Sequence, residues 1–293
     1  MYKIDDYKLF DEYNDQVSSL QDQFEELFSH PPAELQVSSI IRGSPLGACS
    51  DALASALLSS ALADPLSIDA SVSSIVASLS TTKDLIFTDT EAGWINTPFN
   101  DVFAMDLGDC LNTTLHESYL HKVKQTVTSP KNTVLSSALL AGIVVRDKLL
   151  GPNLVNEFVD QGLQLPDVTP VEKQKREAVL IGACFILLVA GSVLLDNWRK
   201  YDPGRLQRVV EALEVLKQEK VIKYPTGVDL LEVCSLMKLF IRLIIELQRT
   251  INAAKGQFKA ETTAAEVWVL LFPPVSFPSL RILTNLVGGS WFR

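Results

Sequence analysis

Residues 178–195 read AVLIGACFILLVAGSVLL and contain no charged side chain. As an α-helix rising about 1.5 Å per residue, this stretch is about 27 Å long, near the lower limit for crossing a bilayer. A helix that is apolar on all sides is surrounded either by lipid or by the other helices of a large fold. The stretch therefore predicts a long helix in an apolar environment. The residues that flank it help to decide whether that environment is lipid or protein.

The residues around the apolar stretch favour burial inside the protein. Its basic flanking residues are Lys173, Lys175, Arg176, Arg199, Lys200, Arg205 and Arg208. Both ends are thus basic, whereas a membrane-spanning helix usually has its basic excess at one end. No second uncharged run reaches this length, and Val267–Leu280 contains three prolines. We expect a buried central helix, and keep single-pass or peripheral membrane attachment through 178–195 as the alternative.

Near the start of the sequence, six apolar residues follow one another at steps of three or four positions. They are Phe10, Tyr13, Val17, Leu20, Phe24 and Leu27. This spacing places them on one face of a helix, with acidic residues such as Asp11, Glu12 and Asp15 outside it. Such a face packs either on the chain's own core or on another chain. The six residues are therefore candidates for binding a protein partner.

Helical spacing recurs along most of the chain, whereas strand alternation is scarce. Residues 83–100 are the exception, because Gly93 and Pro98 interrupt any pattern there; we expect a loop with one short extended run at 85–87. The next helix is expected from Asp109 to about Val127. The predicted fold class is all-α: a multi-helix bundle or an irregular array of helical hairpins around the long apolar helix.

Composition also suggests how the chain is organised. Residues 1–128 form an acidic, Ser- and Ala-rich helical subdomain, and residues 129–293 form an apolar helical core subdomain. The alternative is one continuous domain, because 293 residues fit either one large domain or two small ones.

The chain is acidic, and its charge is unevenly distributed. The net charge of −9 and the isoelectric point of about 4.9 argue against a nucleic-acid partner. Residues 1–130 have a net charge of −13, and residues 131–293 have one of +4. The acidic part is suited to steering a basic protein towards it, the alternative being a merely solvated acidic surface.

A second candidate partner-binding cluster follows the apolar stretch. It consists of Trp198, Arg199, Lys200, Arg205 and Arg208. Aromatic and basic side chains together can bind a phosphate or an acidic peptide. The alternative is the solvated junction between two helices.

A search for catalytic or metal-binding motifs finds none. His116 and His121 are five residues apart, about 500° of helical turn, so their imidazoles point about 140° away from each other and do not share a zinc ion. The sequence contains no phosphate-binding loop, no GxGxxG and no GxSxG. We therefore predict no catalytic residue, no cofactor and no metal.

Together these observations favour a non-enzymatic helical scaffold or adaptor, which holds protein partners or further copies of itself within a larger assembly. Membrane association through residues 178–195 is the first alternative, and an all-α enzyme with an unrecognised carboxylate site is the second. An intracellular, cytoplasmic location is expected, because the acidic start lacks the apolar run of a signal peptide and the four cysteines are far apart.

Overall fold

The computed structural model describes residues 4–29, 34–64, 68–89, 94–119, 131–165, 173–202, 204–205, 207–209 and 211–212. Of these residues, 85% are helical, so the prediction of an all-α fold is confirmed. The chain divides into two compact units, Met1–Thr113 (unit 1) and Thr114–Arg293 (unit 2). The predicted boundary between residues 128 and 129 lies outside the described residues.

Unit 1 contains the helices α1 to α4, a β-hairpin and most of α5. The elements are α1 (Ile4–Ser29), α2 (Glu34–Gly43), α3 (Leu46–Ala63), α4 (Ile68–Thr81), β1 (Ile86–Asp89), β2 (Trp94–Pro98) and α5 (Phe99–Tyr119). α1 packs against α3 and α2 packs against α4. α3 is rich in alanine and serine, and these small side chains let neighbouring helices approach closely.

The apolar face of α1 is covered over its second half. Leu20, Phe24 and Phe28 are buried, and the rings of Phe24 and Phe28 stack with centroids 6.3 Å apart. Since α1 packs on α3, this half docks on the chain's own core. Burying each such side chain contributes about 1.5–3 kcal/mol.

The predicted loop over 83–100 is in part a β-hairpin. β1 and β2 pair antiparallel, with Ile86 opposite Pro98 and Phe87 opposite Thr97, and the register becomes irregular beyond them. Asn96 has a left-handed φ of 50°, which departs from strand geometry. A pair of strands this short and irregular gives no alternating pattern, and the sequence therefore predicts only its first half.

α5 begins earlier than the sequence predicts. It starts at Phe99, directly after β2, ten residues before the expected Asp109. Its first turn is tied to the preceding structure: the Phe99 N–H donates to the Leu85 carbonyl at 3.0 Å, and the Asn100 side-chain amide donates to the Leu79 carbonyl at 3.2 Å. Residues 120–127 of the predicted helix lie outside the described residues.

Unit 2 is built around two strongly apolar helices. Its described elements are the end of α5, α6 (Lys131–Arg146), α7 (Asn153–Leu163) and α8 (Lys173–Tyr201), followed by helical residues up to 212. α6 and α7 both pack against α8. Residues 134–145 of α6 are buried without interruption, so α6 as well as α8 lies in the core.

Glycines allow these helices to approach closely. A Cβ placed on Gly162 of α7 would lie 2.5 Å from the Ala183 Cβ and 2.8 Å from the Val179 carbonyl oxygen on α8. A Cβ on Gly142 of α6 would lie 3.3 Å from the Val189 Cβ, also on α8. The backbones of α6 and α7 therefore lie against α8 where no side chain intervenes.

Two apolar segments have the length and composition of membrane-crossing helices. The first is Leu46–Ala63, half of which is buried inside the protein. The second is a bent pair within α8, Ala178–Leu187 and Val189–Trp198, which meet at 48°. The core helices of a protein that never meets lipid satisfy the same criteria, so both segments are weak indications of a membrane span.

Candidate functional site

Hydrogen-bonded acidic side chains link three helices of unit 1. The Tyr13 hydroxyl of α1 donates to Asp51 of α3, and the Ser50 hydroxyl of α3 donates to Asp106 of α5. Asp109 lies one turn further along α5. We call Tyr13, Ser50, Asp51, Asp106 and Asp109 the carboxylate cluster.

The electrostatics of the cluster centre on Asp106. Its partial burial raises the pKa of this carboxyl from 3.8 to about 6. The hydrogen bond from Ser50 opposes the rise, and the nearby carboxylates of Asp51 and Asp109 add to it, because like charges disfavour ionisation. Asp106 therefore changes its protonation state close to neutral pH.

The Tyr13 phenol and the neighbouring Cys110 thiol remain neutral at pH 7. Burial raises the pKa of Tyr13, and the hydrogen bond to Asp51 raises it further, so the phenol stays a donor. Burial and the surrounding aspartates raise the pKa of the Cys110 thiol. Because the thiolate is the nucleophilic form, Cys110 is poorly suited to covalent chemistry.

The carboxylate cluster is better suited to binding a proton than to binding a metal ion. Among the described residues, no group of three or more His, Cys, Asp or Glu side chains is placed to hold a metal ion. His116 lies 3.4 Å from Glu157 of α7 in unit 2, whereas His121 lies outside the described residues. In chemical terms the cluster offers a titratable carboxyl beside a second carboxylate.

The six predicted partner-binding residues of α1 differ in their surroundings. Leu20 and Phe24 are buried, and Leu27 is half-buried. Val17 is half-buried, and Tyr13 is 38% exposed. Phe10 lies in the same helix. The apolar face is therefore buried towards its C-terminal end and only partly covered at Tyr13 and Val17.

The predicted basic–aromatic cluster lies at the end of α8, and part of it binds its own chain. Trp198 is buried, and its indole N–H donates to the Asn156 side-chain oxygen at 2.8 Å. The Arg205 guanidinium lies over the Trp198 ring and donates to Asp160 and to the Asn156 carbonyl. Trp198 therefore joins α8 to α7, and Arg205 joins the residues that follow α8 to the same helix.

The remaining members of this cluster are more accessible. Lys200 is exposed and lies over the ring of Tyr201, which is itself 68% exposed. Arg208 is about half-exposed and donates to Asp202 at 2.6 Å. Arg199 lies within α8. The structure thus brings Trp198, Arg205 and Arg208 into one network and leaves Lys200 at the surface.

Comparison of the chain with protein-family models, with curated proteins and with solved structures finds no match. Asp51 and Asp106 are not among the candidate site residues predicted from the sequence, although one signal was present. Asp51 is the one charged residue in the 18 residues of α3. A lone carboxylate in an apolar helix usually has a specific partner.

The raised pKa of Asp106 predicts a pH-dependent stability. Because its folded value of about 6 exceeds the ordinary 3.8, the folded protein keeps a proton that the unfolded chain has lost. The resulting stabilisation is full below about pH 4 and is lost as the pH rises through about 6. We expect the Tm of the wild type to fall between pH 5 and pH 7 by more than that of Asp106→Asn, which cannot ionise.

Thermal unfolding followed by circular dichroism at closely spaced pH values measures this difference. Asp196→Asn, at an exposed position of α8, is the matched control and should keep the wild-type pH profile. Parallel profiles for the wild type and Asp106→Asn would show that Asp106 titrates normally.

Proposed function

We propose that this protein is a non-enzymatic scaffold or adaptor, in which unit 1 binds a basic protein partner. The observation that carries the proposal is the large excess of acidic over basic residues in unit 1. Residues 1–113 contain 18 acidic and 4 basic residues. Complementary charge across an interface steers association and selects among partners. A basic partner would supply the counter-charge that this unit lacks.

Two helices present much of this acidic surface. Asp11, Glu12 and Asp15 of α1 are exposed, as are Asp101 and Asp109 of α5. On α5 the exposed Met105 stands between the two aspartates, one turn from each. Interfaces combine an apolar anchor with surrounding polar contacts, and methionine is enriched in them. The same negative charge disfavours nucleic acid as the partner.

The described helices of unit 2 support the proposal through their close packing. α6 and α8 carry long buried apolar runs, and glycines bring their backbones together. Arg205 is committed to Asp160 and Trp198 of its own unit. Close packing of this kind suits a protein that holds other molecules in place.

Co-purification of the full chain with chemical cross-linking tests the proposal. We expect defined protein partners, rich in Lys and Arg at the cross-linked sites, to be retained at about 0.1 M salt and released at about 1 M. The variant Asp15→Lys/Asp109→Lys should lose them. The control Asp196→Lys/Glu211→Lys makes the same charge change at exposed positions of unit 2 and should keep them.

Two results would contradict this function. One is the repeated recovery of the isolated monomer, without a partner or self-association. The other is the same set of partners on the wild type and on Asp15→Lys/Asp109→Lys, since the acidic surface of unit 1 would then be irrelevant to binding.

Membrane association is a second candidate, supported by the apolar segments in α3 and α8. Two observations favour the protein interior instead. Basic residues lie on both sides of 178–195, and α6 and α7 pack tightly on α8. Carbonate extraction of cells distinguishes the two. Release of all the protein into the supernatant removes the membrane candidate, and retention in the pellet establishes it.

Acid–base catalysis is a third candidate, supported by Asp106. A carboxyl with a pKa near the working pH, beside a second carboxylate, has the properties of a general acid or base. Structural clusters of aspartates shift pKa values in the same way, and we therefore rank this candidate below the scaffold. A compound that protects Asp106 from carbodiimide modification would raise its rank.

A further inference from the structure

The carboxyl groups of Asp51 on α3 and Asp106 on α5 are hydrogen-bonded to each other. Both side chains are half-buried. Each also accepts a hydrogen bond from a hydroxyl, Asp51 from Tyr13 and Asp106 from Ser50. An ionised carboxylate has no hydrogen to donate, so the contact between the two aspartates is a hydrogen bond only while one of them carries a proton. Without that proton, two negative charges face each other.

The charged groups that act on this pair from the described helices are negative. The Asp109 carboxylate, one turn further along α5, adds to the repulsion. The Tyr13 phenol and the Cys110 thiol also lie beside the pair, and both are neutral at pH 7. Unit 1 as a whole contains 18 acidic and only 4 basic residues. A proton shared between Asp51 and Asp106 therefore takes the place that a lysine or arginine has in an ordinary ion pair between helices.

The pair lies where three helices of unit 1 are joined by hydrogen bonds. Tyr13 connects α1 to Asp51 on α3, and Asp51 in turn contacts Asp106 on α5. On α5, Phe103 and Leu107 flank Asp106 and are fully buried. A loosening of α5 at Asp106 would let water reach the backbone amides of these same helical turns.

We propose that Asp51 and Asp106 form a proton-operated clasp between α3 and α5. One proton shared by the two carboxyl groups closes the clasp, and loss of that proton loosens the turns of α5 around Asp106. Because the pKa of Asp106 is raised to about 6, the clasp is closed below about pH 6 and loosened above it. The inference does not depend on the scaffold function, since it concerns contacts within unit 1.

The part played by Asp51 distinguishes a clasp from a carboxyl that is merely buried. Burial is the largest cause of the raised pKa of Asp106, and burial alone would keep that pKa raised whatever residue stands at position 51. A shared proton requires the second carboxylate. In Asp51→Asn the side chain keeps its size, is neutral and can donate its amide N–H to Asp106. The repulsion is then absent at every pH, so α5 should stay in place.

Hydrogen–deuterium exchange of the full-length chain at pH 5 and pH 7.5, followed by mass spectrometry, tests the clasp. Exchange is expressed as protection factors, which remove the pH dependence of the chemical exchange step. We expect the protection of residues 102–111 to fall about tenfold at the higher pH. The rise in the pKa of Asp106 from 3.8 to about 6 corresponds to at most about 100-fold, and partial exposure of the side chain to solvent lowers the expected effect.

Variants of the pair and two controls complete the test. Asp51→Asn and Asp106→Asn should each keep the protection of residues 102–111 constant to within about twofold between the two pH values. Asp109→Asn removes a carboxylate of the cluster that lies outside the pair, and should retain most of the wild-type change. Residues 134–145 of α6, which are buried in unit 2, are the internal control and should show no change.

Either of two results would overturn the inference. One is equal protection of residues 102–111 at the two pH values in the wild type, a result that requires no variant. The other is a fall in protection that persists in Asp51→Asn, because Asp106 would then titrate without its partner. A circular dichroism spectrum that matches the wild type shows that this variant is folded, and Asp51→Ser, which removes the same carboxylate, replaces it if it is not.

Discussion

Leu187→Asp is expected to cost about 4–5 kcal/mol of unfolding free energy, enough to unfold most domains of this size. Leu187 is 4% exposed and lies in the middle of α8. An aspartate there would place a charge among apolar side chains without a partner, or would have to bind a proton to avoid it. We expect either no folded protein or a large fall in the urea unfolding midpoint.

Two control variants distinguish the effect of the buried charge from a general sensitivity of α8 to substitution. Leu187→Met keeps the apolar volume and should cost less than about 1.5 kcal/mol. Asn197→Asp introduces the same carboxylate at a half-exposed position of the same helix and should be nearly neutral. A near-wild-type midpoint for Leu187→Asp would show that this part of α8 is accessible to water.

Gly162→Ala is expected to destabilise the protein by about 2–3 kcal/mol. Glycine to alanine within a helix normally stabilises by up to about 1 kcal/mol, because alanine has the higher helix propensity. Here the new methyl would lie 2.5 Å from the Ala183 Cβ and 2.8 Å from a backbone carbonyl of α8. Backbone atoms cannot move aside as a flexible side chain would, so α7 must shift.

Other glycines of the chain provide matched controls for this substitution. A Cβ on Gly43 or Gly151 would meet no atom within 4 Å, and neither residue has a left-handed φ. Gly43→Ala and Gly151→Ala should therefore be neutral or slightly stabilising. Urea unfolding measures the change in unfolding free energy for each of the three variants, and its sign should differ between Gly162→Ala and the other two. A stabilising Gly162→Ala would mean that α7 does not pack against α8 at this point.

The all-α class was predictable because it follows from patterns of residues that are close together in the sequence. The steps of three and four between apolar residues reveal α1, and a run of 18 residues without charge reveals α8. Neither signal requires knowledge of distant contacts. The covering of only half of α1 was not predictable, since Tyr13 and Phe24 belong to the same periodic pattern and differ only in what packs on them.

The burial of α6 was missed for a different reason. Its uncharged run is shorter than that of α8, and it contains Ser136 and Ser137, which normally indicate a solvated face. Both are buried in the structure. The second strand of the hairpin was missed because its Asn96 adopts a left-handed conformation that composition alone does not specify.

The carboxylate cluster depends on contacts between residues far apart in the chain. Tyr13 meets Asp51 across 38 positions, and Ser50 meets Asp106 across 56. No spacing rule relates such positions. The arginine network at the end of α8 illustrates the same limit, since the basic cluster was visible in the sequence but its partners Asn156 and Asp160 on α7 were not.

Disulfide trapping between α6 and α8 tests most directly whether residues 178–195 are enclosed by helices of their own chain. A Cβ at Gly142 would lie 3.3 Å from that of Val189, close to the 3.5–4.5 Å separation typical of disulfides. We expect Gly142→Cys/Val189→Cys to form this bond on mild oxidation, identified by mass spectrometry of the linked peptides. Two thiols that remain unlinked, with both modified by a water-soluble reagent in the folded protein, would contradict the account.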